Sequence, residues 1–225
     1  MTEKNKGELE LGIDEAGRGP VIGPMVIAGA VLDNEGIVKL KDLGVKDSKL
    51  LSIKRREFLI DTIKKIAIDY KILILPPSDI DDALNSPTSN LNKFELINMA
   101  IIANSLKSER IVIDSPSNNI ESFKNTIRIY MKDKNREIIA EHKADDKYVS
   151  VAAASILAKV TRDREIEKLK LKHKIDFGSG YPADPKTIAF LAENYNKYDF
   201  FRKTWSSWKK VSAKNNSNQS KLNKW

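Results

Sequence analysis

The sequence predicts an α/β protein, a mixed five-stranded sheet flanked by helices with a smaller helical region at the C-terminal end. Three observations lead there. Two adjacent apolar segments near the N-terminus read as an opening hairpin. Strand-like and helix-like segments then alternate through residue 141. Beyond Glu141 only helical patterns and loops follow.

In the first strand, Leu9, Leu11 and Ile13 alternate with Glu10, Gly12 and Asp14, which gives one buried face. After the glycine-rich stretch through Pro24, Met25 to Leu32 is rich in Val, Ile and Ala, as expected of a buried strand antiparallel to the first. Residues 33–51 are charged and read as a loop. Ser52 caps a helix to about Ala67, with Leu59, Ile63 and Ile66 on one face. Tyr70 to Leu75 is a strand stopped by Pro76-Pro77. Ser78 opens a short acidic helix, and a longer one runs to about Leu106. Arg110 to Asp114 is a compact strand that delivers Asp114 at its end. Ile120, Phe123, Ile127 and Met131 mark the next helix, and Glu137 to Glu141 the last strand. Val151 to Ala158 is a run of small residues that lets its helix lie close to its neighbours or to the sheet. Gly178-Ser179-Gly180-Tyr181-Pro182 is a loop, Asp184-Pro185 begins another helix, and Ser212 to Ser220 is expected to be disordered.

Composition narrows the chemistry. The 225 residues contain no cysteine, which excludes disulfides, zinc–thiolate sites and thiol nucleophiles. The two histidines, His142 and His173, are too few for a multi-histidine metal centre, so any metal is a hard one held by oxygen. No apolar run is long enough to span a membrane, and the first residues lack a secretory pattern, so a cytoplasmic protein is expected. The net charge is +8, but from Arg202 to Trp225 there are seven Lys or Arg and no acid. The rest of the chain is nearly balanced, with 32 basic and 31 acidic residues. A basic end of this kind either approaches a polyanion or merely solubilises.

The stretch most loaded with chemistry is Gly12-Ile13-Asp14-Glu15-Ala16-Gly17-Arg18-Gly19-Pro20. Two carboxylates at a strand end are followed by backbone amides with little steric cover and a guanidinium, a suitable cradle for phosphate. Carboxylates there would repel a phosphate unless a cation lay between them. An ordinary surface turn, where Asp, Glu and Gly are common, is the competing reading. Asp114 and Asp145 recur at comparable positions, where sites form in such sheets. If Asp14, Glu15, Asp114 and Asp145 converge, they must protonate or hold metal ions. Asp14 and Glu15 can both serve only if the strand breaks by Glu15, since neighbours on a strand point to opposite faces. Lys49 offers a further cation or is a solvated loop lysine. Tyr181 either meets a base, a sugar or a 2′-hydroxyl, or anchors its loop. His142 carries no assigned role.

With these residues in view, the sequence resembles the type 2 ribonucleases H, and most closely ribonuclease HII of the archaeal kind. The resemblance rests on residues 12–20, on Lys46-Asp47-Ser48-Lys49-Leu50, on Ile113-Asp114-Ser115-Pro116 and on His142-Lys143-Ala144-Asp145. It continues through Ala152 to Val160, Gly178 to Pro182 and Arg202-Lys203-Thr204-Trp205. It implies a ribonuclease H-like catalytic domain over residues 1–166, a helical substrate-clamping region over 167–211 and a flexible basic tail over 212–225. It further implies metal-dependent endonucleolytic cleavage of RNA in RNA/DNA hybrids and of duplex DNA 5′ to embedded ribonucleotides, leaving 3′-hydroxyl and 5′-phosphate ends, in replication and ribonucleotide excision. By the same resemblance Asp14, Glu15, Asp114 and Asp145 hold Mg²⁺ or Mn²⁺. Gly17, Arg18 and Gly19 sense the 2′-hydroxyl and phosphate, Tyr181 senses the junction, and Lys49 is the loop lysine. Asp146 adjoins the expected ligand, and the Lys-Ala-Asp frame favours Asp145. A monomer is expected.

The tail residues Gln219, Leu222 and Trp225 look like the peptide that DNA sliding clamps bind, with Leu222 and Trp225 one helical turn apart. A plain disordered end is the alternative. Two other functions compete for the whole chain. A phosphatase or nucleotidyl enzyme for small substrates would not need the basic arm, and a binding module would not need four acids.

Overall fold

The computed structural model describes residues 8–45 and 51–222, with side chains through Asn216. The chain forms two compact units. Among the described residues the first comprises 8–16, 26–45, 51–74 and 92–161, and the second comprises 17–25, 75–91 and 162–222.

The first unit is built on a five-stranded sheet in the order β3-β2-β1-β4-β5. Its strands are β1 (Glu10–Ala16), β2 (Met25–Leu32), β3 (Asp69–Leu75), β4 (Arg110–Asp114) and β5 (Glu137–Glu141). β1 pairs antiparallel with β2, Asp14 opposite Ala28, and parallel with β4, Ile13 beside Ile113. β4 pairs parallel with β5. The mixed sheet predicted from sequence is therefore present. Every residue of β2 is buried, as expected of an interior strand covered on both faces.

The helices are α1 (Asn34–Asp42), α2 (Ile53–Ile66), α3 (Pro77–Asn85), α4 (Leu91–Ser105), α5 (Ile120–Tyr130), α6 (Val149–His173), α7 (Pro185–Asn194) and α8 (Ser206–Leu222). Ser52 and Asn119 cap α2 and α5, accepting from the amides of Arg55 and Ser122. One core joins Val26, Ala28 and Leu32 of β2, Leu40 of α1 and Leu59, Ile60 and Ile63 of α2. Ala152, Ala153, Ile156 and Leu157 of α6 complete it. Gly12 lets the start of α6 press on β1: a Cβ added there would collide with the backbone of Ser150 and Val151. Glu10 fixes the same junction, accepting from the Ser150 hydroxyl at 2.6 Å and pairing with Arg110 at 2.8 Å.

The second unit has an aromatic core. Phe177, Phe190, Tyr198, Phe200 and Phe201 pack as stacked and tilted rings, with Val21, Ile22, Ile166 and Leu191 around them. Ile22 bridges to Phe201, and the Gly180 carbonyl accepts from Val21 at 2.8 Å. Residues 17–25 are thereby tied to segments far along the chain.

Two expectations differ from the structure. Residues 34–42, read as loop, form α1, because Asp33 caps it through the Gly36 amide at 2.8 Å. Only Ile37 and Leu40 supply apolar periodicity there, too little to reveal a helix. Ser212 to Ser220, expected disordered, continue α8. Trp208, in the first turn of that helix, is anchored by its indole N–H to the Tyr195 carbonyl at 2.8 Å, and neither Gly nor Pro interrupts the helix.

Candidate active site

In the first unit, three chain segments bring three aspartates together. Asp14 sits in β1, Asp114 closes β4, and Asp145 lies in a 3₁₀ turn, Ala144–Asp146, that follows β5. One carboxylate oxygen from each lies within 4.8 Å of the others. The parallel pairing of β1 with β4 brings Asp14 and Asp114 to neighbouring strand ends. Lys143 takes a left-handed conformation (φ 57°) that turns the chain into the 3₁₀ turn. The Ala144 amide donates to Asp114 Oδ1 at 3.3 Å, tying the turn to the strand. Within it Asp145 is buried and Asp146 exposed, so Asp145 is the one that joins the cluster. His142 faces the Ser115 carbonyl through Nδ1 at 3.0 Å, which makes Nδ1 the protonated nitrogen.

Burial pushes the Asp14 carboxyl up to about 8, and the neighbouring Asp114 and Asp145 charges push the same way. The Ser155 hydroxyl on α6 and the Glu15 amide, 2.7 Å from Asp14 Oδ1, pull it back. Glu15 is not a member of the trio. β1 does not break before it but runs on to Ala16, with Glu15 opposite Ile27.

In the second unit, Gly17, Arg18 and Gly19 form a turn followed by Pro20. Gly17 has φ 80°, and an added Cβ would lie 2.9 Å from the Pro24 carbonyl oxygen and 3.1 Å from Arg162 Cγ. The carbonyls of Gly17 and Arg18 accept from Arg202 at 2.7 and 3.0 Å, and that of Gly19 from the Trp205 indole at 3.0 Å. Tyr181 is 40 % exposed, with its ring edge over Gly19 and the Arg162 guanidinium 5.2 Å from its centroid. Arg162, itself buried, donates to the Ser179 carbonyl at 2.9 Å and so holds the loop that carries Tyr181.

A sequence model of the family described as Ribonuclease HII matches residues 11–210. The ribonuclease HII of Thermococcus onnurineus is 51% identical over 209 residues, covering 90% of this chain and 89% of that one. The chain belongs to the ribonuclease HII family. The solved ribonuclease H2 of Pyrococcus horikoshii superposes with a TM-score of 0.85 at 43% identity, covering 92% of this chain and 98% of that one. A PCNA:RNase HII complex from Archaeoglobus fulgidus gives a TM-score of 0.80 at 41% identity, covering 88% and 95%. The fold is thus that of the type 2 ribonucleases H, and the chain is a ribonuclease H, a hydrolase of the family that degrades RNA in RNA/DNA hybrids.

Divalent metals serve the ribonuclease H family, and the trio suits them. It offers only hard oxygen donors, it is largely buried, and its members repel one another without a cation. Lys49 and Trp225 lie outside the described residues, and the side chains of Gln219 and Leu222 are likewise not described. No helix among the described residues is long and apolar enough to cross a membrane. Reading the sequence missed Ser155 and Arg162. Ser155 had a signal, being the lone hydroxyl in the alanine-rich run. Arg162 acts through the Ser179 carbonyl on a loop beyond the end of its helix, a partner that local pattern does not reveal.

Proposed function

We propose that this chain is an endoribonuclease that cuts the RNA strand of RNA/DNA hybrids and also cuts duplex DNA 5′ to single embedded ribonucleotides. Three aspartates from separate segments, each with a carboxylate oxygen within 4.8 Å of the others, carry this reading. Asp14, Asp114 and Asp145 would hold two ions of Mg²⁺ or Mn²⁺. Glu15, although β1 does not break before it, would be the fourth carboxylate by reaching round the strand with its longer side chain. When bound, such ions supply an activated water and stabilise the leaving oxygen. Water adds to phosphorus, the bond to O3′ breaks, and a proton passes to that oxygen, leaving 3′-hydroxyl and 5′-phosphate ends.

The other residues grip the substrate. Gly17, Arg18 and Gly19 present backbone amides to the phosphate and sense the 2′-hydroxyl beside it, and Lys49 adds a cation. Asp14 and Gly17 are three residues apart, so their Cα atoms are separated by at most about 11 Å. Tyr181, exposed on its loop, packs on the sugar or base at the RNA–DNA junction. Residues 1–166 would form the catalytic domain and residues 167–211 the clamp on the duplex. Gln219, Leu222 and Trp225 would bind a DNA sliding clamp, a reading supported by the Archaeoglobus fulgidus relative solved as a PCNA:RNase HII complex. The chain would act as a monomer in the cytoplasm, in replication and ribonucleotide excision.

Gel analysis tests this on four labelled duplexes: hybrid, RNA, DNA, and DNA with one ribonucleotide, each with and without magnesium. Cleavage of the first and last only, dependent on magnesium and lost in Asp14→Asn and Asp145→Asn, is expected. Cleavage that survives either substitution overturns the assignment of these acids. An inactive Glu15→Gln supports the fourth carboxylate, and a fully active one removes it.

A further inference from the structure

Arg202-Lys203-Thr204-Trp205 is a motif that none of the chemistry above uses, yet its side chains reach the substrate turn. Arg202 is fully buried, and its guanidinium donates to three carbonyls: Gly17 at 2.7 Å, Arg18 at 3.0 Å and Gly23 at 2.9 Å. The Trp205 indole takes the next carbonyl, that of Gly19, at 3.0 Å, and its ring lies 4.7 Å from the Arg202 guanidinium carbon. Three consecutive carbonyls of the turn are therefore held by one four-residue segment. Asp81 of α3 holds that segment in turn, accepting from the Lys203 amide at 2.7 Å, the Thr204 amide at 3.0 Å and the Thr204 hydroxyl at 2.5 Å.

In a planar trans peptide the C=O and the following N–H point in opposite directions. Fixing the Gly17 carbonyl on Arg202 fixes the direction of the Arg18 N–H, away from Arg202. Fixing the Arg18 carbonyl does the same for the Gly19 N–H. Pro20 has no N–H to aim, so the Trp205 bond to the Gly19 carbonyl acts differently: it anchors the far end of the turn and keeps Gly19 from swinging. We propose that Arg202, pinned by Asp81, is a positioning residue that aims the Arg18 and Gly19 amides at the substrate phosphodiester, and that Trp205 is a second one, holding the Arg202 guanidinium under its ring and the Gly19 carbonyl at the far end of the turn so that the aim is kept. A lysine could not replace Arg202, because a single ammonium cannot span three carbonyls in the guanidinium's planar fork. The inference rests on the reading of Gly17–Gly19 as the turn that senses phosphate and 2′-hydroxyl.

The test uses the full chain and two fluorescein-labelled duplex DNAs, one carrying a single ribonucleotide and one all-deoxy, with binding followed by anisotropy in EDTA. Steady-state cleavage of the first duplex in magnesium runs in parallel. Trp205→Phe keeps the ring and removes one hydrogen bond, so KM and the ribo-over-deoxy binding ratio should each worsen about fivefold. Arg202→Lys should worsen both further, and Asp81→Asn should move both in the same direction. Trp205→His, which restores a ring N–H, should recover part of the ratio. A role in folding alone would lower the melting temperature and the active fraction while leaving KM and the ratio untouched, and that result overturns the proposal. Should Arg202→Lys fail to fold, Trp205→Phe decides alone. A wild-type protein that does not distinguish the two duplexes removes the underlying reading of the turn. Normal wild-type discrimination with unaffected variants removes only the positioning role.

Discussion

Replacing Asp14 with asparagine should stabilise the metal-free protein while abolishing cleavage, and the size of the gain follows from its titration. The carboxyl ionises near 3.8 in the unfolded chain and near 8 in the fold. Because the folded value is the higher one, the stability this group contributes is complete below 3.8 and is lost as pH rises through 8. At about pH 8 the folded state has forgone about 5 kcal/mol, and at about pH 5 only about 2 kcal/mol. Asparagine carries no charge at any of these values. Urea denaturation in EDTA should therefore show a gain for Asp14→Asn over wild type that grows by about 3 to 4 kcal/mol between those two conditions. Adding magnesium or manganese should close about half of the gap at about pH 8, because a ligand at a hundred times its Kd stabilises the native state by about 2.7 kcal/mol and the variant has lost part of the site. Equal stabilities at both pH values, or a wild type more stable than the variant at about pH 8 in EDTA, would refute the crowding of charge at this cluster.

Four further outcomes are open to measurement. Gly12→Ala drives a methyl into the Ser150–Val151 backbone and should cost about 3 kcal/mol or more by urea midpoint, since a rigid backbone cannot yield as a side chain does; a shift below half of that would contradict the close packing of α6. Ser155→Ala removes a hydroxyl that favours ionised Asp14, so manganese affinity at neutral pH by calorimetry should weaken about fivefold, and unchanged affinity would dismiss the contact. Asp184 accepts from the Ser179 amide and hydroxyl and from the Lys186 amide, which hold it down to about 2. Wild type should therefore melt above Asp184→Asn near neutral pH, with the gap closing between about pH 4 and pH 2, and a gap that persists at the acid end speaks against it. Deleting residues 219–225 should abolish co-elution with a DNA sliding clamp and leave hybrid cleavage intact; retained co-elution ends that reading.

The sheet was legible in the sequence because its strands are short apolar runs with turn residues at their ends, and β4 and β5 begin and end where the pattern places them. Asp14, Asp114 and Asp145 were legible for the same reason, each at the end of such a run or just after it. Local pattern could not give α1, whose cap is plain only once Asp33 is seen to hold the Gly36 amide. Nor could it give the depth of α6 against β1, since Gly12 reads as an ordinary strand glycine until Ser150 is found beside it. Arg202 was readable as part of a motif, but its task was not. Its acceptors lie 179 to 185 residues earlier, and a buried arginine announces nothing by composition.

The two units settle a buried charge in opposite ways, and the contrast explains why one set of residues reads as chemistry and the other as scaffolding. Arg202 is buried among its acceptors, with three carbonyls and an aromatic ring around one guanidinium, so its burial is compensated internally. Asp14 is as deeply buried, yet the strongest influences on it are burial itself, one hydroxyl, one amide and two further carboxylates. A hydroxyl and an amide cannot offset two like charges together with desolvation, so the carboxyl is held near 8 in the absence of a cation. A fold that satisfies a buried guanidinium so fully could have satisfied a structural aspartate too. That it leaves Asp14 strained beside Asp114 and Asp145 is what a site waiting for an external cation requires, and it is why neutralising Asp14 should make the protein sturdier and inert at once.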